Sequence, residues 1–357
     1  MKADAEMCPR VVRRHRSDRL LEALAPFASV VLVSHVNPDP DALASMLGLE
    51  ALFKERQPGK PVILTLDGIV ARAENQAMVD ILKIPLVPVE QVPTCEGAAV
   101  IMVDSQPHTG RRASEAAMPH VVLDHHETGG LLDGVLFRDI RPNLGATSTM
   151  VTGYLLEQEM VVSPRLATAL LYGIETETAG YPREASPPDD GALTWLFPRA
   201  DKDLLARIRN PKLPQSYFST YRCALSNAFL YKDMVMTWCG DVSQPDLISE
   251  LADYFVRSDQ VDWAVATGRY EDSLRISVRA SRVGDHCGEI LREVVDGLGS
   301  AGGHDKRAGG SIPLKDRGPD AVDGLLRTLR ERILAKLDIR EDQGRRLLEP
   351  PPSIEVP

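Results

Sequence analysis

The sequence predicts an α/β protein, with a doubly wound, mostly parallel sheet domain followed by a second, smaller α/β domain. Apolar runs rich in Val, Ile and Leu alternate with helical stretches through the first half of the chain. That is the pattern of strands buried on both faces. Beyond Tyr231 the strand candidates alternate apolar with polar residues, as in a hairpin. Three early runs also stop abruptly in Asp or His. Ionisable groups at the end of a buried strand are costly unless they bind something.

In chain order, Ser17 is expected to cap a short helix over 18–24. A strand follows over 29–34, then a helix over 41–56 with Leu43, Met46, Leu47, Leu49 and Leu52 as its apolar positions. Pro61 to Leu66 reads as the next strand, 73–83 as a helix, and Leu86 to Val89 as a short apolar segment. Strands over 98–103 and 120–123 complete the expected parallel sheet. A helix opens in Asn143 to Ser148 and runs to about Glu159. Another starts with Ser163 as cap and Pro164 in its first turn, ending near Thr178. Pro182 to Asp190 reads as a loop, and 191–230 as helical connectors broken by Pro198, Pro211 and Pro214.

In the second domain, Asp233 to Trp238 is a strand candidate and Leu247 to Arg257 a helix. Val261 to Thr267 and Ser273 to Ala280 form a hairpin turned at Tyr270-Glu271-Asp272. A helix over 284–297 leads into the glycine-rich stretch Gly299 to His304. Pro319 to Leu337 is a final amphipathic helix, and the Pro-rich tail from Glu349 is expected to be disordered.

Composition narrows the function. The net charge is −10, from 41 basic and 51 acidic residues. A protein that grips long duplex nucleic acid carries a basic footprint, and here the only dense basic cluster is Arg10 to Arg16. A small phosphorylated substrate fits the acidic balance better. The five cysteines are scattered without a C-x-x-C pair, which argues against disulfides and a zinc ribbon. No stretch approaches the roughly 18–20 apolar residues of a membrane span. Met1 to Arg19 lacks an apolar signal-peptide segment, so cytoplasmic residence is expected.

The chemistry concentrates at the strand ends. The first run leads into His35-Val36-Asn37-Pro38-Asp39-Pro40-Asp41, the run over 98–103 into Asp104, and Val121-Val122-Leu123 into Asp124-His125-His126. In open α/β sheets, ligands bind beyond the carboxyl ends of the strands. Imidazole with carboxylate suits Mn, Fe, Zn or Mg rather than a thiolate-seeking metal. Asp39 and Asp41 could face different ions, Asp104 could bridge both, and His125 with Glu177 could complete the second. Such a pair, about 3.5–4 Å apart, stabilises attacking and leaving oxygens together in phosphoryl transfer. Asp124 is either a ligand or the partner that orients a histidine. His126 is a ligand, an acid for the leaving oxygen or a phosphate contact. In the second domain, glycines at 302, 303 and 309 allow close backbone approach to a phosphate or base. Arg279 could clamp a phosphate.

Taken in order, these motifs resemble the DHH phosphoesterase superfamily. The resembling segments are His35 to Ala42, Val103-Asp104, Asp124-His125-His126 and Gly173-Ile174-Glu175-Thr176-Glu177-Thr178. The C-terminal part resembles the DHH-associated domain through Ser277-Val278-Arg279 and Gly302-Gly303-His304 to Gly309. The resemblance implies an N-terminal arm over 1–17, a catalytic domain over 18–190, a helical linker over 191–230, a substrate-binding domain over 231–316, and a C-terminal helix and tail over 317–357. It implies two Mn²⁺ ions, with Mg²⁺ or Co²⁺ as substitutes. His35, Asp39 and Asp104 would hold one ion, and Asp41, Asp104, His125 and Glu177 the other. His126 would contact the scissile phosphate, with Asp104 and Asp124 also counted among the catalytic residues. Arg279, Gly302, Gly303, His304 and Gly309 would meet the substrate.

Two departures from the family pattern stand out. Glu177 occupies a position that is usually Asp, and Ala301 interrupts the glycine run. The implied activity is hydrolysis of phosphoester bonds in short oligonucleotides, linear or cyclic dinucleotides, or nucleoside bisphosphates. A 5′–3′ single-strand exonuclease and a nucleotide-binding module with reduced catalysis are the alternatives. The implied partner is a small nucleotide, with no long duplex and no membrane, and a homodimer stays open.

Overall fold

The computed structural model describes residues 14–92, 97–107, 118–127, 132–178, 185–282, 284–303, 305–314, 321–340 and 343–349. The chain divides into two compact units, Met1–Pro211 and Lys212–Pro357.

The first unit runs α1 (Arg16–Leu24), β1 (Ser29–Val33), α2 (Pro40–Arg56), β2 (Val62–Leu66), α3 (Ala73–Leu82), β3 (Leu86–Pro88), β4 (Ala98–Val103), β5 (Val121–Asp124), β6 (Phe137–Ile140), α4 (Thr147–Glu157), α5 (Pro164–Thr178), α6 (Pro187–Leu196) and α7 (Lys202–Arg209). Its sheet has the order β3-β2-β1-β4-β5-β6, and every pair is parallel. The chain builds leftward from β1 and then returns to build rightward from β4. The crevice beyond the carboxyl ends of β1 and β4 is therefore a topological switch point, where open α/β sheets bind their ligands. All five residues of β1 are buried. The larger core joins Leu32, Leu64, Ile101 and Leu123 of the sheet to Leu43, Leu49, Tyr154 and Leu170 of the helices. A smaller cluster of Val31, Val33, Met102, Val122 and Leu132 lies apart from it.

Several local features differ from the sequence expectation. The cap of α1 is His15, whose backbone N–H donates to Asp18 at 3.1 Å, and Ser17 lies inside the helix. Strand β6 was not anticipated. Pro187 to Asp190, expected in a loop, begins α6, because Ser186 and Asp189 form a capping box with proline in the first turn. The expected linker divides between the units. Ala192, Leu196, Leu205 and Ile208 join the first unit's core, while Ala224 of α8 (Gln215–Ser226) joins a core of the second.

The second unit continues β7 (Phe229–Tyr231), β8 (Met234–Asp241), α9 (Asp246–Phe255), β9 (Trp263–Tyr270), β10 (Ser273–Ala280), α10 (Cys287–Val294), β11 (Ser300–Gly303), β12 (Arg307–Pro313), α11 (Ala321–Lys336) and β13 (Arg345–Arg346). Its sheet has the order β11-β12-β10-β9-β8-β7-β13 and is mixed, with β8 and β9 parallel. Alternation along the strands separates two faces. Val235, Ala264 and Ala266 pack with α9, and Met236, Val265 and Ile276 belong to the core that includes α10 and α11. The glycine-rich stretch is the edge pair β11–β12 rather than a bare turn. The tail from 350 lies outside the described residues. No helix among those described is long and apolar enough to cross a membrane.

Strand β6 ties α1 and α4 to the sheet through Asp139. Its buried carboxylate accepts from Arg16, from Arg141 Nε at 2.9 Å and from Tyr154 Oη at 2.6 Å. Burial alone would raise the Asp139 pKa, but the bonds from Arg141 and Tyr154 outweigh it and lower the value. Asp139→Asn is expected to destabilise the first unit by roughly 2–4 kcal/mol, because two guanidinium groups and a buried phenol lose their buried anion. The wild-type contribution is present above the unfolded-state pKa and disappears as pH falls through the lower folded-state pKa. Urea melts at neutral and acidic pH check both points: the gap between wild type and variant should close on acidification.

Candidate metal centre

The sheet register places three loops side by side. His35 follows β1, Asp104 follows β4, and Asp124 ends β5 before His125 and His126. Adjacent strands lie about 4.8 Å apart, so these side chains converge. Asp104 takes a left-handed backbone, φ 53°, and its N–H donates to Leu123 O at 2.8 Å. Asp tolerates that conformation better than most residues. It turns the chain sharply at the strand end.

Asp104 is at the centre of the cluster. Its Oδ2 is 3.5 Å from His35 Nε2, and its Oδ1 is 3.5 Å from His125 Nε2 and 3.8 Å from His126 Nδ1. Thr147 Oγ1 donates to the same Oδ1 at 3.0 Å. Asp39 Oδ2 is 3.8 Å from His35 Nε2, and Asp41 Oδ2 is 3.9 Å from His125 Nε2. Two compact donor groups result: His35, Asp39 and Asp104, and Asp104 with His125 and His126. Glu177, near the end of α5, contacts Asp39 and bears on Asp41 and Asp104. All the expected metal ligands are therefore brought together.

Each expected ligand also has a structural role. Asp39 caps α2, accepting from the Ala42 N–H at 3.0 Å, and Pro40 opens the helix. Asp41 is fully buried. Its two oxygens accept the Thr147 and Ser148 N–H groups at 2.7 Å each, at the start of α4. A helix N-terminus is a natural seat for an anion. Gly173 lets α5 come this close: a Cβ there would lie 2.7 Å from Ser148 Oγ and 3.0 Å from Pro40 O. Glu177 sits one turn further along α5.

The electrostatics are those of too many carboxyl groups in too little water. Burial, then Asp39, Asp41 and Asp104, push the Glu177 carboxyl up to about 10. Burial and Asp104 raise Asp41 to about 8. Burial opposes charge on His35, but Asp104 and Asp39 outweigh it and raise the imidazole to about 9. His125 is raised despite its burial, chiefly by Asp104 and Asp41. Asp39 and Asp124 overcome burial in the other direction, held low by His35 and His126 respectively.

The donor set fits divalent cations. Both His35 and His125 meet a backbone carbonyl through Nδ1, Val36 O at 3.0 Å and Leu144 O at 3.2 Å. Donation there leaves Nε2 toward the carboxylates, the orientation typical of metal-bound histidine. The 3.5–3.9 Å gaps from Nε2 to carboxylate oxygen are long for hydrogen bonds. They approach the roughly 3–3.5 Å between two ligands of one cation at about 2.1 Å.

Asp124 belongs to a different set of contacts. Its Oδ1 meets His126 Nδ1 at 2.8 Å, and its Oδ2 accepts from Gln106 Nε2 at 2.7 Å. Gln106 also reaches Glu127 O at 3.1 Å. Sequence reasoning missed Gln106, Thr147 and Ser148. Only the last two lay in a segment it had singled out, as a helix start.

In the second unit, Arg279 is buried. Its Nε donates to Asp253, and its Nη1 to Ser277 Oγ at 2.8 Å and Val278 O at 3.0 Å. Among the described residues, Nη2 is the donor left over. Gly302 pairs with Gly309, and Gly303 with Ala308. A Cβ on Gly303, φ 149°, would stand 2.3 Å from Arg307 O, so only glycine fits. His304 lies outside the described residues.

The DHH family N-terminal domain matches residues 29–174, and the DHHA1 domain matches residues 228–334. The chain belongs to the DHH phosphoesterase superfamily. It is 30% identical over 325 residues to "Uncharacterized protein MJ1633" of Methanocaldococcus jannaschii, covering 88% of this chain and 66% of that protein. It is 22% identical over 217 residues to "Probable bifunctional oligoribonuclease and PAP phosphatase NrnA" of Streptococcus mutans, covering 60% and 65%. The chain thus spans slightly less than two thirds of each relative. Among solved structures, an exopolyphosphatase-related protein from Bacteroides fragilis superposes with TM-score 0.63 at 18% identity, covering 92% of this chain and 99% of that one. RecJ of Thermus thermophilus in complex with Mn²⁺ gives TM-score 0.52 at 15% identity, covering 92% and 55%. These structural likenesses establish the fold.

Proposed function

We propose that this protein is a manganese-dependent phosphohydrolase of short nucleotides: short oligonucleotides, linear or cyclic dinucleotides, or nucleoside bisphosphates. The observation that carries this reading is Asp104, set between the Nε2 atoms of His35 and His125 at 3.5 Å from each. His35, Asp39 and Asp104 would hold one cation, and Asp41, Asp104, His125 and Glu177 a second. Bound there, divalent cations supply Lewis-acid activation of water and neutralise charge on the phosphoryl group.

The remaining work falls to the chain. Asp124, kept ionised by His126, accepts its Nδ1–H and fixes the ring, while Gln106 holds the other carboxylate oxygen. His126 Nε2 then takes a phosphate oxygen or delivers a proton to the leaving oxygen. Thr147 holds one Asp104 oxygen in place. In the second unit, Gly302, Gly303 and Gly309 offer backbone to the substrate, with Arg279 Nη2 and His304 beside them in sequence or register.

A short substrate agrees with the net charge of −10, and with the oligoribonuclease and PAP phosphatase in the name of one relative. Manganese agrees with the histidine–carboxylate donors and with the ion in the RecJ complex. The test is chromatography of a substrate panel with Mn²⁺: linear dinucleotides, cyclic dinucleotides, 3′,5′-bisphosphates and longer single strands. Turnover of the short members is expected, and excess chelator should abolish it. Full activity in chelator, or cleavage confined to long strands, contradicts the proposal.

A further inference from the structure

A second candidate site lies wholly within the second unit, at the opposite end of its sheet from the glycine-rich strands. Phe229 and Met236 are cross-strand partners, as are Trp238 and Thr267. Side chains alternate, so the Phe229, Tyr231 and Trp238 rings share the sheet face that belongs with α11. Above them, Asp323, Arg327 and Arg330 recur at helical spacing along one side of α11. Between helix and sheet is an open pocket of about 340 Å³, lined by these six residues among others. Drug-sized ligands occupy pockets of about 300–1,000 Å³.

The lining has two chemistries. Phe229 and Trp238 are only partly buried and offer aromatic surface. Arg327 and Arg330 have no ion pair or hydrogen bond among the described residues. Arg346 of β13 lies over the Phe229 ring, 5.2 Å from its centroid, and adds positive charge nearby. Aromatic rings bind bases by stacking. Guanidinium groups bind phosphate through charge-assisted, often bidentate bonds. Asp323 adds an acceptor for a ribose hydroxyl or an amino group of the base. A chain with a net charge of −10 that lines one pocket with aromatic rings and with two arginines unpaired among the described residues has built a local exception.

We propose that this pocket, built only from residues of the second unit, binds a nucleoside monophosphate. The choice of ligand rests on the reading of the protein as a nucleotide hydrolase, because such a ligand is the class of product that reaction releases. The pocket would then sense product.

The test is calorimetry of AMP, adenosine and inorganic phosphate against the full chain in excess chelator, which removes the cation-dependent reaction. AMP should bind at one site per chain, at least tenfold more tightly than adenosine or phosphate, and quench tryptophan emission. Arg327→Glu combined with Arg330→Glu should weaken AMP at least tenfold, with an unchanged circular dichroism spectrum. Arg327→Gln, a milder surface change, should weaken it at least threefold. Both variants should hydrolyse substrate at the wild-type initial rate when Mn²⁺ is restored. No AMP binding at millimolar concentration, or equal affinity in the variants, overturns the pocket. AMP binding that responds to the arginines in a protein that hydrolyses nothing on the panel overturns the hydrolase reading instead.

Discussion

Asp104→Asn is expected to lower turnover by at least about 10³-fold, equivalent to roughly 4 kcal/mol of transition-state stabilisation. Asp104 is the group shared by both donor sets, 3.5 Å from His35 Nε2 and from His125 Nε2. Asparagine is the right replacement for two reasons. It keeps the acceptor for the Thr147 hydroxyl, 3.0 Å away, and it tolerates the left-handed backbone at φ 53°. Alanine would mix a backbone penalty of about 1 kcal/mol with the loss of charge. The side chain of Asp104 is 98% buried by its own pocket, at 2% exposure, yet its contacts are with site groups. Circular dichroism should therefore stay native while cation binding weakens. Turnover near wild type in Asp104→Asn would remove it from the bridging role.

Glu177→Ala is expected to lose one cation equivalent and most of the activity, whereas Glu177→Asp retains part of each. Burial and three neighbouring carboxyl groups push Glu177 up to about 10. It therefore gives up its proton only at a cost beside those carboxyl groups, and a shared cation would relieve that cost. Aspartate keeps the donor oxygen but draws it back by about one C–C bond, and catalytic geometry tolerates only about 0.5 Å. Metal content after dialysis, together with turnover in Mn²⁺, separates the outcomes. A stoichiometry unchanged from wild type in Glu177→Ala would take the residue out of the site. The alanine variant should fold, because it removes an unfavourable buried carboxyl rather than a packed apolar group.

The strand ends were the most legible part of this chain. Val30 to Val33 and Val121 to Leu123 are uniformly buried, and His35, Asp104 and Asp124 stand out because such runs do not normally end in ionisable groups. Other features lacked a local signal. Strand β6 has four residues, two of them charged, too short for a periodic pattern. Strands β11 and β12 were hidden because glycine is depleted in strands, although here it permits their close pairing. The two roles of Asp39, helix cap and candidate ligand, share one pattern, Asp-Pro, so the sequence offers cap and ligand as alternatives where the structure combines the cap with a place in the cluster. The cradle for Asp41 could not be read at all. Its donors are 106 and 107 residues away in sequence, and their convergence exists only after α2 and α4 have packed.

That long-range convergence has a consequence for folding. His35, Asp104, His125 and Glu177 come from the ends of β1, β4 and β5 and from α5, and no short peptide of this chain contains more than a fragment of the set. The unfolded chain therefore offers no comparable chelate. Whatever cation the centre takes will bind the folded state selectively, adding about 2.7 kcal/mol of stability at a free concentration 100 times the dissociation constant. The same ions proposed to serve hydrolysis would thus also hold the first unit's sheet and helices together, and starving the protein of metal would loosen the fold as well as silence the site.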